Sequence, residues 1–341
     1  MRAVAFKKAL PANDPAALVD VILDRPMPGP RDLLVKVAAV SVNPADTKTR
    51  RRGDPEGGLS VLGWDAAGVV EAVGSEAALF KAGDAVFYAG SIMRPGTNSE
   101  YHLVDERIVG RKPSSLSFAE AAALPLTALT AWELLFDRIG VKRGEGADRR
   151  SLLIIGGAGG VGSIAIQIAR QLTELTVIAT ASRPETEAWV RALGAHHVIN
   201  HNRPLAPQLA HLGFPVVDII IVLAGTDQNA EQLGELIAPE GHVGLIERPD
   251  ALKSFDPALL FFKSVSIHLE LMFTRARYAT PTMIRQHQIL NEVADLIDQG
   301  VLRTTLGRIV GPIDAANLRE AHILSESSAV IGKLVLSGWP G

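Results

Sequence analysis

The sequence predicts an α/β protein in which a doubly wound parallel sheet is set between β-rich segments. Three observations carry that expectation. Between Ser151 and Arg183 an apolar run, a glycine cluster, an amphipathic segment and a second apolar run follow one another. From Glu185 to Leu271 short apolar runs alternate with helical patterns, as the crossover units of a parallel sheet require. Before Ser117 short apolar runs come close together, parted by Gly and Pro, which predicts a compact, barrel-like β domain.

The central stretch is the most informative. Residues 152–155 are long enough for a buried strand. Gly157-Ala158-Gly159-Gly160-Val161-Gly162 matches G-x-G-x-x-G, and Ile164, Ile168 and Leu172 then recur on one helical face. Residues 176–180 supply the returning strand. In this setting the first glycine is expected to allow a tight turn, the second to admit a pyrophosphate, and the third to let helix and strand pack. Gly159, Gly160 and Val161 should hold the phosphates at the helix N-terminus, with Gly157 and Gly162 shaping the turn. The second strand ends in Ala181-Ser182-Arg183, with no carboxylate before Glu185 to hold a ribose 2′-hydroxyl. Ser182 and Arg183 would bind a 2′-phosphate instead, so the expected cofactor is NADP(H).

Elsewhere the elements follow local chemistry. Strands are expected over 4–7, 19–23, 33–42, 68–74, 85–88 and 100–104. Ser117-Phe-Ala-Glu120 is a capping-box pattern that starts a helix, and Pro125 divides it from a second helix over 126–138. After the glycine turn come helix 185–193, strands 197–199 and 216–222, helix 229–237 and strand 241–246. Residues 264–271 alternate Val265, Ile267, Leu269 and Leu271 with Ser264, Ser266, His268 and Glu270. This predicts a last, edge strand whose polar face stays wet and whose edge pairs with a second subunit, with His268 and Met272 beside it. Helices 284–298 and 314–325 and strands 306–310 and 330–336 return to the first domain. The expected division is 1–125, 126–272 and 273–341.

Composition limits the partners. The chain has 341 residues, 47% hydrophobic and 21% charged, with a net charge of −3 and no basic block, which argues against nucleic acid or an anionic membrane. The N-terminus lacks the apolar core of a signal peptide, and no run approaches a membrane span. With no cysteine, disulfides, thiolate metal sites and cysteine nucleophiles are excluded, and a cytoplasmic location is expected.

Several motifs together resemble the medium-chain dehydrogenase/reductase superfamily over nearly the whole chain, most closely its quinone oxidoreductase branch and the proteins called zinc-type alcohol dehydrogenase-like. They are Ser41-Val-Asn-Pro-Ala-Asp46, Leu62-Gly-Trp-Asp-Ala-Ala-Gly-Val-Val70, Phe80-Lys-Ala-Gly-Asp84, Leu124-Pro-Leu-Thr-Ala-Leu-Thr-Ala-Trp132, the glycine turn and Gly332-Lys-Leu-Val335. The resemblance implies a GroES-like catalytic domain, a Rossmann domain and a homodimer, or a tetramer built from dimers. It also implies that Thr127 lies on the nicotinamide side, and that His201 stands where related reductases have a tyrosine near the 2′-phosphate. Zinc members of the family would have a cysteine at Asn43, a histidine at Trp64 and a hydroxyl residue at Ala45. No metal is therefore expected, and Asp46 and Asp65 alone could not supply the ligand set.

Without a Lewis acid, the least demanding reaction is hydride transfer from NADPH to a quinone or an α,β-unsaturated carbonyl, whose developing anion needs only hydrogen-bond donors. Asn43 is a candidate donor to the substrate oxygen or the nicotinamide ribose, Asp46 an orienting carboxylate, and Tyr88 a candidate donor or acid. Trp64 would wall the vacated metal position, and Asp65 would bond backbone in its turn. Ala224, Leu245 and Ile246, at strand carboxyl ends, would line the nicotinamide site. The competing readings are a zinc-dependent alcohol dehydrogenase and a crystallin-like nucleotide-binding protein without turnover.

Overall fold

A computed structural model describes residues 1–144, 146–225, 232–247 and 256–340. The chain forms two compact units, one of Met1–Leu129 with Phe273–Gly341 and the other of Thr130–Met272. The strands of the first unit begin with β1 (Arg2–Phe6), β2 (Val19–Ile22), β3 (Asp32–Val42) and β4 (Ser60–Val61). They continue with β5 (Asp65–Val73), β6 (Ala85–Ala89), β7 (Tyr101–Asp105) and β8 (Val109–Arg111). The second unit holds β9 (Ser151–Ile155), β10 (Thr176–Thr180), β11 (His197–Ile199), β12 (Val217–Val222), β13 (Ile237–Leu245) and β14 (Ser266–Leu269). The chain then returns to the first unit with β15 (Leu306–Gly311) and β16 (Lys333–Ser337).

In the first unit the spine is β3, eleven residues long, which pairs antiparallel with β5, β7 and β16. The resulting sheet runs β15-β16-β3-β5-β6-β8, and β2-β1-β4 form a smaller one. This is the GroES-like β-rich domain. Register matters here: Ser41 lies opposite Asp65, and Leu334 opposite Val42. The end of β3 and the beginnings of β5 and β16 therefore meet, bringing residues 41–43, 65 and 333 together. Helix Pro44–Arg52 leaves from that point, with Asn43 as N-cap, Pro44 in its first turn and Asp46 at N3. Asn-Pro-x-Asp accounts for its start, since proline suits the first helical position and aspartate can accept from the cap N–H.

The second unit is a six-stranded parallel sheet in the order β11-β10-β9-β12-β13-β14. Numbered from its first strand this is 3-2-1-4-5-6, the dinucleotide-binding order, with β9 at the point where the order reverses. Every residue of β9 is buried, as expected for a central strand covered on both faces. Helix Gly160–Leu172 presents Ile164 and Ile168 to the core. The Ser117 capping box closes on Glu120 from both sides, at 2.9 and 3.3 Å.

Three expectations change. The helix expected over 126–138 is α-helical only over Pro125–Trp132 and becomes a π-helix over Glu133–Arg138, where Ile139 N–H reaches Leu134 O five residues back. Of the helix expected over 229–237, residues 229–231 lie outside the described residues, 232–236 are helical, and Ile237 already begins β13. The edge strand is shorter than 264–271, and from Ile267 on its faces are reversed, while Ser264 and Ser266 stay exposed. His268 bonds His242 at 3.0 Å and Glu270 is 4% exposed beside Arg138, whereas Ile267, Leu269 and Leu271 are 39%, 49% and 50% exposed. Arg138 supplies the charge that draws Glu270 inward, and pleating then turns the apolar row outward. No helix among the described residues is long and apolar enough to cross a membrane.

Helix Arg285–Asp298 packs on β8 through Gly110, where an added Cβ would lie 2.5 Å from Leu290 Cβ and 2.9 Å from the Phe87 ring. Gly110→Ala should cost about 1–3 kcal/mol in urea unfolding, from overpacking. Gly53→Ala, where a Cβ meets nothing within 4 Å, should change stability by less than about 0.5 kcal/mol.

Candidate functional site

The strand ends that meet in the first unit carry a buried polar cluster. Asp65 is fully buried. Its Oδ2 accepts from Ser41 Oγ at 2.8 Å, Asn43 Nδ2 at 2.8 Å and Lys333 Nζ at 3.1 Å, and its Oδ1 accepts from Leu126 N–H at 2.7 Å. The last bond caps the start of helix Pro125–Trp132, whose first N–H groups have no partner within the helix. Lys333, 4% exposed, also donates to Val42 O at 3.1 Å and to Asn43 Oδ1. The sequence leads one to expect Asp65 on backbone and gives Lys333 no role. Asp65 does bond one backbone N–H, but its larger part is an ion pair with Lys333.

Asn43 is 1% exposed, and its carboxamide is held from both sides, Oδ1 by Lys333 and Nδ2 by Asp65. One of the two Nδ2 hydrogens remains without a partner among the described residues. Asp46 accepts from the Asn43 backbone N–H at 2.5 Å through Oδ2, while its Oδ1 makes no hydrogen bond among the described residues. Burial pushes the Asp46 carboxyl up to about 7, against the opposing pull of the Asn43 N–H and Lys333. Trp64, 5% exposed, meets Phe273 edge-to-face with centroids 5.6 Å apart. Tyr88 is fully buried; its hydroxyl pairs with His102 Nδ1 at 3.1 Å, and burial drives its pKa far above the ordinary phenol range. His102, a partner the sequence does not suggest, also bonds Pro95 O at 3.0 Å, and burial lowers its pKa to about 4. A proton held this tightly is poorly placed for transfer at neutral pH. Thr127 is buried, with its hydroxyl donating to Leu124 O at 3.0 Å.

In the second unit the glycine turn follows β9. The left-handed residue is Gly156, at φ +88°, one position before the motif, so the tight turn expected of Gly157 belongs to its neighbour. Gly157 instead permits close packing, since a Cβ there would stand 3.0 Å from Ala179 Cβ and 3.2 Å from Thr180 O. Gly162 is the most constrained, with a Cβ 2.3 Å from Gly156 O. At Gly159 the nearest atom to an added Cβ is Gly156 O at 3.6 Å, so this side of the turn is open. The N–H groups of Gly160, Val161 and Gly162 make no hydrogen bond among the described residues. Open space before free N–H groups at the start of a thirteen-residue helix fits a pyrophosphate.

The other expected cofactor residues lie along the carboxyl edge of the same sheet. Ile155, Val222 and Leu245 share a register row, which places Ala224 and Ile246 just past it with Gly156. Ala224 is exposed, Ile246 partly exposed and Leu245 buried. Ser182 and Arg183 follow β10, both partly exposed, and Arg183 Nε pairs with Glu185 at 3.0 Å. Partial desolvation and the nearby Arg183 charge lower the His201 pKa, which favours the neutral imidazole at this position.

Comparison with known proteins completes the description. Residues 29–130 match the alcohol dehydrogenase GroES-like domain family, and residues 160–287 match the zinc-binding dehydrogenase family. A Staphylococcus epidermidis protein named zinc-type alcohol dehydrogenase-like protein is 39% identical over 338 residues, covering 99% of both chains. The chain belongs to the medium-chain dehydrogenase/reductase superfamily. These are nicotinamide-dependent oxidoreductases. A crystal structure from Rhizobium etli, described as a candidate zinc-dependent alcohol dehydrogenase, is 54% identical with a TM-score of 0.94, covering 100% of this chain and 99% of that one. An Escherichia coli quinone oxidoreductase complexed with NADPH is 25% identical with a TM-score of 0.81, covering 99% of this chain and 100% of its own.

The family includes zinc members, but the residues here do not suit the metal. Asn43 and Trp64 are not zinc ligands of the usual kind, and Asp65 is saturated by four donors, one of them an ammonium that would repel a cation. Among the described residues no three His, Asp or Glu side chains converge on one point.

Two outcomes follow. Gly159→Ala should leave the melting temperature nearly unchanged but weaken nicotinamide dinucleotide binding at least about tenfold, because the new methyl occupies the phosphate approach; Gly162→Ala should lower both. Asp46 keeps its proton to about 7 when folded, against an ordinary aspartate value of 3.8, so the native state binds more protons between those limits. Stability should therefore fall as pH rises from 4 to 7 and then level. The melting temperature of Asp46→Asn relative to the parent should climb across that window; a difference that is flat with pH would contradict this.

Proposed function

We propose that the protein transfers hydride from NADPH to a quinone or an α,β-unsaturated carbonyl without a metal. The observation that carries this reading is the Lys333 ammonium locked between Asn43 and Asp65, where a zinc member of the family would gather its ligands. The E. coli quinone oxidoreductase with bound NADPH supports it from the side of the relatives.

Bound NADPH would supply the hydride. The residues to hold it are Gly159, Gly160 and Val161 for the pyrophosphate, Ser182 and Arg183 for the 2′-phosphate, and Ala224, Leu245 and Ile246 along the strand ends. On the acceptor, hydride adds to the β-carbon of an enone or to a quinone, negative charge collects on oxygen, and solvent completes the product with a proton. The free Nδ2–H of Asn43 is the donor assigned to that oxygen. Because Asn43 is 1% exposed, a substrate must displace its surroundings to reach it.

Steady-state NADPH oxidation with a panel of quinones and enones tests this reading. Turnover after dialysis against chelator supports it; turnover only with simple alcohols and stoichiometric zinc overturns it, as does nucleotide binding with no oxidation of NADPH. Arg183→Ala should weaken NADPH by about tenfold to 100-fold while leaving NADH nearly unchanged, since it removes a charge-assisted phosphate contact. Equal losses for both nucleotides would show that Arg183 does not read the phosphate.

The assembly proposed is a homodimer through the free edge of β14. Its outward row of Ile267, Leu269 and Leu271 is an apolar strip at a strand that pairs with β13 on one side and, among the described residues, with no strand on the other, the kind of surface that folded monomers avoid. Sedimentation at micromolar concentration should give a dimer mass, and Leu269→Lys should shift it toward monomer.

A further inference from the structure

Every donor on the Lys333 ammonium is engaged. An ammonium has three N–H bonds, and here they go to Val42 O, Asn43 Oδ1 and Asp65 Oδ2. None is left for a substrate or a cofactor. The side chain is 4% exposed, its carboxylate partner 0%, and the pair is therefore costly to bury unless its geometry is completed, as it is here by Ser41 and by Leu126 N–H.

We infer that Lys333 is the positioning residue of the site, fixing the orientation and the polarity of the Asn43 carboxamide. The inference rests on the reading in which Asn43 serves the substrate oxygen. With Oδ1 tied to a cation and one Nδ2–H tied to Asp65, the amide has one rotational setting, and in that setting the second Nδ2–H is the one left without a partner among the described residues. A positive charge on Oδ1 also draws electron density from the amide nitrogen, which makes the remaining N–H a stronger donor. If Lys333 is removed, the carboxamide keeps only its Asp65 anchor, and Asp65 is left as a buried carboxylate without its cation. Arginine cannot substitute. Its planar fork presents donors in one plane, whereas the three acceptors here surround a single point.

The absence of any native cysteine permits a direct test in the full chain. Lys333→Cys can be alkylated in denaturant with 2-bromoethylamine, which restores the ammonium at lysine length, and then refolded. Lys333→Met is the uncharged comparison. The first readout is NADPH oxidation with 9,10-phenanthrenequinone, separated into kcat and KM, together with the NADPH dissociation constant. The second is the Asn43 side-chain amide pair in nitrogen-15 spectra, which does not depend on turnover.

The expected result for Lys333→Met is a kcat lower by on the order of 100-fold. NADPH affinity should stay within about twofold, because phosphate binding resides in the glycine turn. The Asn43 amide protons should lose their protection. The alkylated Lys333→Cys protein should recover both signals, and Lys333→Arg should recover neither. If Lys333→Met does not fold, Lys333→Met/Asp65→Asn, which removes both buried charges, takes its place with Asp65→Asn as reference. Retention of the parent kcat, or an unchanged Asn43 amide pair, overturns the inference. If the parent fails to oxidise NADPH with any of the quinones and enones, the proposed function falls by itself, and the amide spectra alone decide the role of Lys333.

Discussion

The carboxylate of Asp65 is the constraint on which the first unit depends. One oxygen binds Ser41 and Asn43 at the end of β3 and Lys333 at the start of β16; the other binds the Leu126 N–H at the head of a helix. Segments distant in sequence are thus tied to one side chain. Removing the carboxylate alone would strand a buried ammonium, and removing the ammonium alone would strand a buried carboxylate; each is far more disruptive than losing the pair. The same geometry explains why neither Asp65 nor Lys333 is available as an acid or a base. Their charges are committed to each other.

In the second unit the glycines divide the work differently from the motif's usual assignment. Gly156 turns the chain, Gly157 and Gly162 allow backbone and helix to approach, and Gly159 leaves the space in which a phosphate can meet free N–H groups. The G-x-G-x-x-G spacing cannot reveal the role of Gly156, which lies outside it. Only the backbone angle does.

Much of the fold is legible in the sequence because periodicity reports burial directly. The five residues of β9, the Ile164 and Ile168 face and the Ser117–Glu120 box are local features, and each forms as its pattern implies. The site is less legible because its partners are set by register between distant strands. Asn43 and Asp65 stand out as departures from the family's zinc ligands, yet nothing near either residue points to Lys333, some 290 positions away from Asn43. Tyr88 is a reasonable candidate as an aromatic hydroxyl at a strand end, but its pairing with His102 depends on how β7 returns beside β3. The edge strand misleads for a similar reason. Alternation separates two faces without saying which is inward, and Arg138, far earlier in the chain than Glu270, decides it.

The central claim is that hydride passes from the nicotinamide to carbon of an activated acceptor with no metal taking part. The decisive measurement follows deuterium from 4,4-dideuterated NADPH into the product of an enone, using protein stripped by chelator. Deuterium at the β-carbon and a rate unchanged by stripping are the expected result. A product without label, or labelling that returns only when zinc is restored, would contradict it.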